Sequence, residues 1–381
     1  MSSDAFCLHW CFVDSHALDY HAGSPEQIPL GGSQSALCFL ARELAARGHR
    51  VTLVNFTRQP GLHHRVRCLN RDELAPDFWE TAGIDLLVSL SEPSLPELPR
   101  ACPRILWMHH NPGVTGVAEQ LAQWQPFAAV VYVSHWQQQA FRHVYGLPAA
   151  EVIANACPPY YAPLLPDPQA FLAARPGPLT LAYTSTPFRG LKILLAIFPG
   201  LHQRFPQLRL KVYSSLRVYQ APQHEEDDFA PLYAECRSLP GVEYLGSVPQ
   251  PELAAALRGV HILAYPSRYQ ETFCLAAVEA MAAGCQVVSS DLGALAETTA
   301  GRARLVPYHD DVHAFGLPYF EALSECLRRW QQEPDSLAQE LLGHSRWTLD
   351  TYNQTLQADR WEALARRILT ENPPKTAKGS R

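Results

Sequence analysis

Residues 271–284 read ETFCLAAVEAMAAG and carry two carboxylates, Glu271 and Glu279, with seven residues between them. Ala276, Ala277, Ala280, Ala282 and Ala283 are strong helix formers whose small side chains let a helix lie close to a sheet. Gly284 is placed to end that helix. Upstream, GVHILAYPS (259–267) is an apolar run closed by a turn signal, and CQVVSS (285–290) follows, so the unit reads strand, loop, helix, strand. Ligands of such sheets bind at the carboxyl ends of the strands, where this loop falls. Glu271 sits on the loop, and the amides of Phe273, Cys274 and Leu275 open the helix. An anion there gains about 0.3–2 kcal/mol from the helix terminus. A phosphate on the amides leaves the carboxylates to accept from hydroxyls, with Glu279 suited to a diol such as ribose. On spacing alone, the same residues also read as a loop carboxylate followed by a solvated helix position.

Several chemistries are excluded by pattern. No two glycines are two apart, so the G-x-G-x-x-G dinucleotide fingerprint is absent, as is any P-loop. No two aspartates are two apart, which removes the D-x-D pair of metal-dependent nucleotide-sugar enzymes. The ten cysteines are scattered with no C-x-x-C pair, and the adjacent pairs His63-His64 and His109-His110 lack the i,i+4 spacing of a helical zinc site. Neither a metal nor a cofactor is expected. A formal net charge of −6 and the lack of a basic cluster argue against nucleic acid as a partner. The opening MSSDAFCLHWCFVD has no basic n-region, and no apolar stretch approaches the roughly 20 residues that cross a bilayer, so a cytoplasmic location is expected.

The elements that must position these residues form two sets. FCLHWCFV (6–13), RVTLVNF (50–56), IDLLVSL (84–90), RILWM (104–108) and AVVYVS (129–134) read as strands, with helices such as SQSALCFLARELAARG (33–48) between them. Prolines at 158, 159, 163, 166, 168, 176 and 178 mark a linker without regular structure. The alternation restarts at LTLAYT (179–184), LRLKVY (208–213), VEYLG (242–246), VHILAYP (260–266) and QVVSS (286–290). Apolar strands alternating with helices predict parallel sheets covered on both faces. The expected fold is α/β, two Rossmann-like doubly wound domains facing a central cleft. The boundaries expected are 1–160 and 161–345, then a helix over 346–370 crossing back to the first domain and a disordered tail over 371–381.

Four stretches, taken in order, resemble glycosyltransferase family 4, whose members have the GT-B fold and are retaining and metal-independent. YPSRYQETFCLAAVEAMAAGCQVVSSDLGALAE (265–297) is similar to that family's donor-site signature. IPLGGSQSALCFLARELAARGHRVTLVNF (28–56) resembles its N-terminal glycine loop, helix and second strand. YVSHWQQQAFRHVYGLP with VIANACPP (132–159) resembles the segment leading to its hinge, and AYTSTPFRGLKILL (182–195) the opening of its second domain.

The resemblance implies roles. Glu271 contacts hydroxyls of the donor sugar, Glu279 the ribose diol, and the amides of Phe273, Cys274 and Leu275 the distal phosphate. Arg189 stands where many members have the lysine of a Lys-Gly pair, and neutralises the departing diphosphate. Tyr183 departs from the pattern, since members usually carry an arginine there. Lys192, one helical turn beyond Arg189, is a candidate second charge, although a solvated helix lysine fits equally well. Gly31 and Gly32 form the loop facing the diphosphate. His109, ending RILWMHHNP, lines the donor and acceptor side, able to donate to the sugar or accept a proton from the acceptor; His110 is its rival. The activity implied is transfer of a hexose from a nucleotide-diphosphate sugar to a hydroxyl acceptor, a saccharide or lipid-linked molecule, which leaves room for peripheral membrane contact. The alternative is a catalytically degenerate protein that binds a nucleotide sugar or a partner.

Overall fold

A computed structural model describes residues 7–92, 102–113, 127–145, 150–161 and 167–371. The expected tail, apart from residue 371, lies outside the described residues. The chain divides into two compact units. One comprises residues up to Ser24, Gly32–Ala156 and the chain from Gln354 on; the other comprises Pro25–Gly31 and Cys157–Asn353.

The first unit is built on eight strands: β1 (His9–Val13), β2 (Arg50–Asn55), β3 (Gly61–His63), β4 (Val66–Asn70), β5 (Leu86–Leu90), β6 (Arg104–Met108), β7 (Ala129–Tyr132) and β8 (Glu151–Val152). Their order is β3-β4-β2-β1-β5-β6-β7-β8. Every pairing is parallel except β3 with β4. β1, β5 and β6 are buried throughout, as a sheet covered on both faces requires. The β3–β4 hairpin is absent from the sequence expectation. Its two-residue turn, His64 and Arg65, holds both residues at positive φ (49° and 66°). That is the sign pattern of a type I′ turn, here without the Asn-Gly signal that usually marks one.

The second unit carries six strands, all parallel: β9 (Thr180–Tyr183), β10 (Arg209–Val212), β11 (Val242–Tyr244), β12 (Ile262–Tyr265), β13 (Gln286–Ser290) and β14 (Arg304–Val306). Their order is β11-β10-β9-β12-β13-β14. β9 and β12 are neighbours, so the loops leaving their carboxyl ends start side by side.

Two expectations need correction. The proline-rich stretch is not devoid of regular structure, because Pro168–Ala173 is a helix. Pro168 occupies its first turn, where a missing N–H costs nothing, and Asp167 caps it by accepting from the Ala170 amide at 2.8 Å. Phe171 is buried, and the buried Arg175 donates to the carbonyls of Phe171, Val260 and Ala283, which fixes this stretch to the second unit.

The single helix expected over 346–370 is two helices, Pro334–Thr351 and Gln354–Glu371, broken at Tyr352 and Asn353. Only the later one belongs to the first unit. It buries Gln357, Ala358, Trp361, Leu364, Ala365 and Ile368, a stripe at helical spacing. Trp361 meets Trp107 edge-on at 5.0 Å and Trp10 at 6.5 Å. Each such contact adds about 0.5–1.5 kcal/mol beyond buried area. Arg47 donates to Asp359 at 2.6 Å and to the Thr355 carbonyl at 2.7 Å, closing the start of that helix onto Gly32–Ala46.

Candidate active site

In the second domain the carboxyl end of β9 runs into a short 3-10 turn, Pro187–Arg189, and then the helix Leu191–Arg204. Gly190 joins turn to helix at φ 127°, and a Cβ there would lie 2.1 Å from the Pro266 carbonyl oxygen. Only glycine lets the Arg189 turn approach the end of β12 this closely. The Arg268 amide donates to the Arg189 carbonyl at 3.2 Å, tying the two loops together.

The loop after β12 is fixed from β13. Ser289 donates to the Tyr265 carbonyl at 2.6 Å and Ser290 to the Ser267 carbonyl at 2.8 Å. Glu271 then bridges Gly293 through the main chain, and the Ala294 amide donates to the Glu271 carbonyl at 2.7 Å. Held this way, the Glu271 carboxylate accepts from Arg189 at 2.9 Å and from the Tyr265 hydroxyl. The guanidinium lies 4.0 Å from the centre of the Tyr269 ring and donates to the Tyr219 hydroxyl at 3.2 Å. Burial works against the charge on Arg189, but Glu271 and the surrounding tyrosines more than offset it.

The helix Leu275–Ala282 begins after Cys274, which is left-handed (φ 66°, ψ 73°). A non-glycine residue there is uncommon and costs of order 1 kcal/mol or more. An αL residue followed by an αR residue turns successive amides to one side, a concavity suited to an anion. Glu279, four residues into the helix beyond Leu275, is buried rather than solvated and accepts from the Gln250 amide at 3.1 Å. Burial pushes its carboxyl up to about 7, against the opposing bond from Gln250.

Arg189 and Glu271 are thus brought into contact, with Phe273, Cys274 and Leu275 on the same loop and Glu279 on its helix. Lys192 is exposed between the buried Leu191 and Ile193. Tyr183 is wholly buried and donates to the Thr186 carbonyl at 2.7 Å, bracing the turn below Arg189 and supplying no charge. Gly31 and Gly32 have no left-handed φ, and Gly32 opens the helix Gly32–Ala46.

In the first domain His109 follows β6 and is buried, its amide donating to Ser91 at 2.9 Å. Its Nε2 lies 3.1 Å from Asn155 Oδ1, so Nε2 carries the proton when the amide oxygen faces it. Burial pushes the imidazole down to about 4, with Asn155 opposing. Such a ring is neutral at pH 7 and a weak proton acceptor, and with its one N–H turned to Asn155 it has no second N–H to donate. Sequence reasoning missed Tyr265, Tyr269, Gln250, Gly293 and Asn155. Tyrosines and glutamines carry no spacing signal, and their partners lie far away in sequence.

Residues 179–318 match the family described as Glycosyl transferases group 1. That stretch lies within the second domain and contains Arg189, Glu271, Glu279 and the Cys274 turn. A phosphatidyl-myo-inositol mannosyltransferase of Mycolicibacterium smegmatis is 35% identical over 137 residues, 35% of this chain and 32% of that protein. A D-inositol 3-phosphate glycosyltransferase of Corynebacterium efficiens is 33% identical over 109 residues, 29% of this chain and 25% of that one. The chain therefore matches a third or less of the length of these relatives. Among solved structures, a sucrose-phosphate synthase from Thermosynechococcus elongatus superimposes with TM-score 0.68 at 18% identity, covering 96% of this chain and 100% of that one. HepE of Anabaena, in complex with UDP and glucose, gives TM-score 0.69 at 15% identity, covering 94% and 100%. At these identities the likeness is one of fold: GT-B, two Rossmann-like α/β domains.

Proposed function

We propose that the protein is a glycosyltransferase moving a hexose from a nucleotide-diphosphate sugar to a hydroxyl acceptor, with retention and without a metal ion. The observation that carries this reading is the Arg189–Glu271 pair at the carboxyl ends of β9 and β12, beside the left-handed Cys274 turn. Arginine binds phosphate oxygens through its planar fork. A diphosphate arriving at Arg189 competes with Glu271 and frees a carboxylate oxygen for the sugar hydroxyls. As the glycosidic bond breaks, negative charge grows on the diphosphate, and Arg189 and the helix amides are each worth about 3 kcal/mol there. Glu279, buried beside Gln250, suits the ribose diol. Gly31, Gly32 and Lys192 stay as candidates for the phosphate side on resemblance. A double displacement needs a second carboxylate placed as nucleophile. None is marked by its surroundings among the described residues, so attack on the same face as departure is the route proposed.

Relatives that act on inositol-bearing molecules and a neighbour bound to UDP and glucose support a nucleotide-sugar donor and a polyol or lipid-linked acceptor. No described helix is long and apolar enough to cross a membrane, which fits a cytoplasmic protein touching a membrane at most peripherally.

The test is a thermal-shift screen of UDP-, GDP- and ADP-sugars. A donor at 100 times its Kd adds about 2.7 kcal/mol of stability. No stabilisation by any donor would overturn the reading. A second reading, binding without turnover, is favoured by one observation: the buried Tyr183 supplies no charge where relatives of this family usually carry arginine. Turnover of any donor removes it.

A further inference from the structure

Glu279 has a hydrogen-bond partner whose other end is unsatisfied. Gln250 opens the helix Gln250–Leu257, which follows β11, and Pro251 sits in its first turn, where a missing N–H costs nothing. The Gln250 side-chain nitrogen donates to Glu279 Oε1 at 3.1 Å. A charged carboxylate only accepts, so this bond fixes which end of the amide faces Glu279: the nitrogen end. The other end, Gln250 Oε1, is buried and accepts from no described residue. A second orphan lies in the same part of the domain. The helix packs against the turn Pro159–Tyr161, whose last residue is 3% exposed. The Tyr161 hydroxyl is buried without a partner among the described residues. Burial, and after it the Glu279 charge, push that hydroxyl well above its usual value, so it stays protonated. Buried polar atoms in native proteins nearly all have partners, so two orphans around one carboxylate point to a ligand that supplies them.

We propose that Gln250 selects the ribose of the donor nucleotide, its amide oxygen accepting from one hydroxyl of the diol while Glu279 accepts from the other. The proposal rests on the donor reading of Glu279 and adds a residue that discriminates ribonucleotides from deoxyribonucleotides. Adjacent ribose hydroxyls present two O–H donors side by side. The Gln250–Glu279 bond likewise sets two acceptors side by side, one on the amide and one on the carboxylate. Because Gln250 already occupies Glu279 Oε1, the carboxylate is spared from taking both hydroxyls. A deoxy analogue leaves one of the two buried acceptors unpaired, and a site built on hydrogen bonds rejects an analogue chiefly for that reason.

A residue that only orients Glu279 behaves differently. Its removal weakens the grip on both hydroxyls together, because both then depend on the carboxylate. Direct contact by Gln250 ties its removal to one hydroxyl alone, as in a double-mutant cycle in which one partner is an atom of the ligand.

The experiment is calorimetry of the full chain with UDP, GDP and ADP, then with the 2′-deoxy and 3′-deoxy forms of whichever binds. Wild type should lose affinity on the order of 10–100-fold with each analogue. Gln250→Met keeps the side-chain length without polar atoms. It should bind the parent nucleotide more weakly and take one analogue within threefold of the parent, while keeping the penalty for the other. Gln250→Ala repeats the truncation if the methionine variant does not fold, as its melting curve will show. Wild type that binds either analogue within threefold of the parent overturns the proposal, and so does a truncated variant that keeps both penalties. Loss of both penalties together also overturns it and makes Gln250 a positioning residue for Glu279. In all three cases binding of the parent nucleotide leaves the glycosyltransferase reading standing. Wild type that binds none of the three nucleotides overturns that reading and the proposal with it.

Discussion

The Arg189 guanidinium donates to the Glu271 carboxylate across 2.9 Å, joining two residues 82 positions apart in sequence. In this arrangement each residue fixes the position of the other. An arginine aimed at a leaving group is worth more in the transition state, where charge has developed, than in the bound donor. Arg189→Ala should therefore lower kcat on the order of 10²–10³-fold with a smaller change in donor KM. Arg189→Lys should recover part of the rate, because it keeps charge but loses the fork. Steady-state kinetics decide it: a tenfold rise in KM with kcat intact would mean that Arg189 only holds the ground state.

Gly293 sits at φ 74°, and a Cβ there would fall 2.4 Å from the Glu271 carbonyl oxygen and 2.5 Å from its amide nitrogen. Gly293→Ala should push Glu271 off Arg189 and destabilise the domain by about 2–4 kcal/mol through strain and overpacking. Urea unfolding measures the loss. A variant within 0.5 kcal/mol of wild type, about the spread of neutral surface changes, would show that the loop yields freely.

Glu279 makes stability depend on pH. Its carboxyl is raised from 4.5 to about 7, so between those values the folded protein binds more protons than the unfolded chain. Stability is then greatest below 4.5 and falls as pH rises through 7, by about 3 kcal/mol. Glu279→Gln removes the charge, so its melting temperature should exceed that of wild type at pH 8 and match it at pH 4.5. Equal differences at both pH values would contradict the shift. Glu279→Ala should weaken donor binding by about 1–3 kcal/mol. Wild-type binding should also weaken as pH falls below 7, because the protonated carboxyl has lost acceptor capacity. Calorimetry showing unchanged affinity for the alanine variant would remove Glu279 from the site.

Turnover should survive excess EDTA, since the proposed charge on the diphosphate side is Arg189. Among the described residues no group of three or more histidine, cysteine or acidic side chains could hold a metal ion. Loss of activity that Mg²⁺ or Mn²⁺ restores would assign diphosphate neutralisation to an ion bound with the donor.

The strands on either side of the Glu271 loop were legible in sequence because buried parallel strands must be apolar along their whole length. RILWM (104–108) and QVVSS (286–290) are strands over those very residues. β4 and β14 were not legible. VRCLN and RLV are short, mix charged with apolar residues, and gain their pairing from neighbours supplied elsewhere in the chain. The proline-rich stretch misled because prolines exclude a helix interior but not a first turn, and Asp167 in front of Pro168 makes such a turn.

Sequence by itself determined which residue types stood at the ends of which strands: Arg189 after β9, Glu271 after β12, His109 after β6. Those positions follow from local periodicity and from turn residues, which act over a few neighbours. Tertiary structure alone decided that Glu279 is buried against Gln250, that Tyr183 braces a turn instead of carrying charge, and that Arg189 meets Glu271. Burial and hydrogen bonding depend on what the rest of the chain brings alongside. The same glutamate is an ordinary acid in water, and burial beside Gln250 pushes its carboxyl up to about 7.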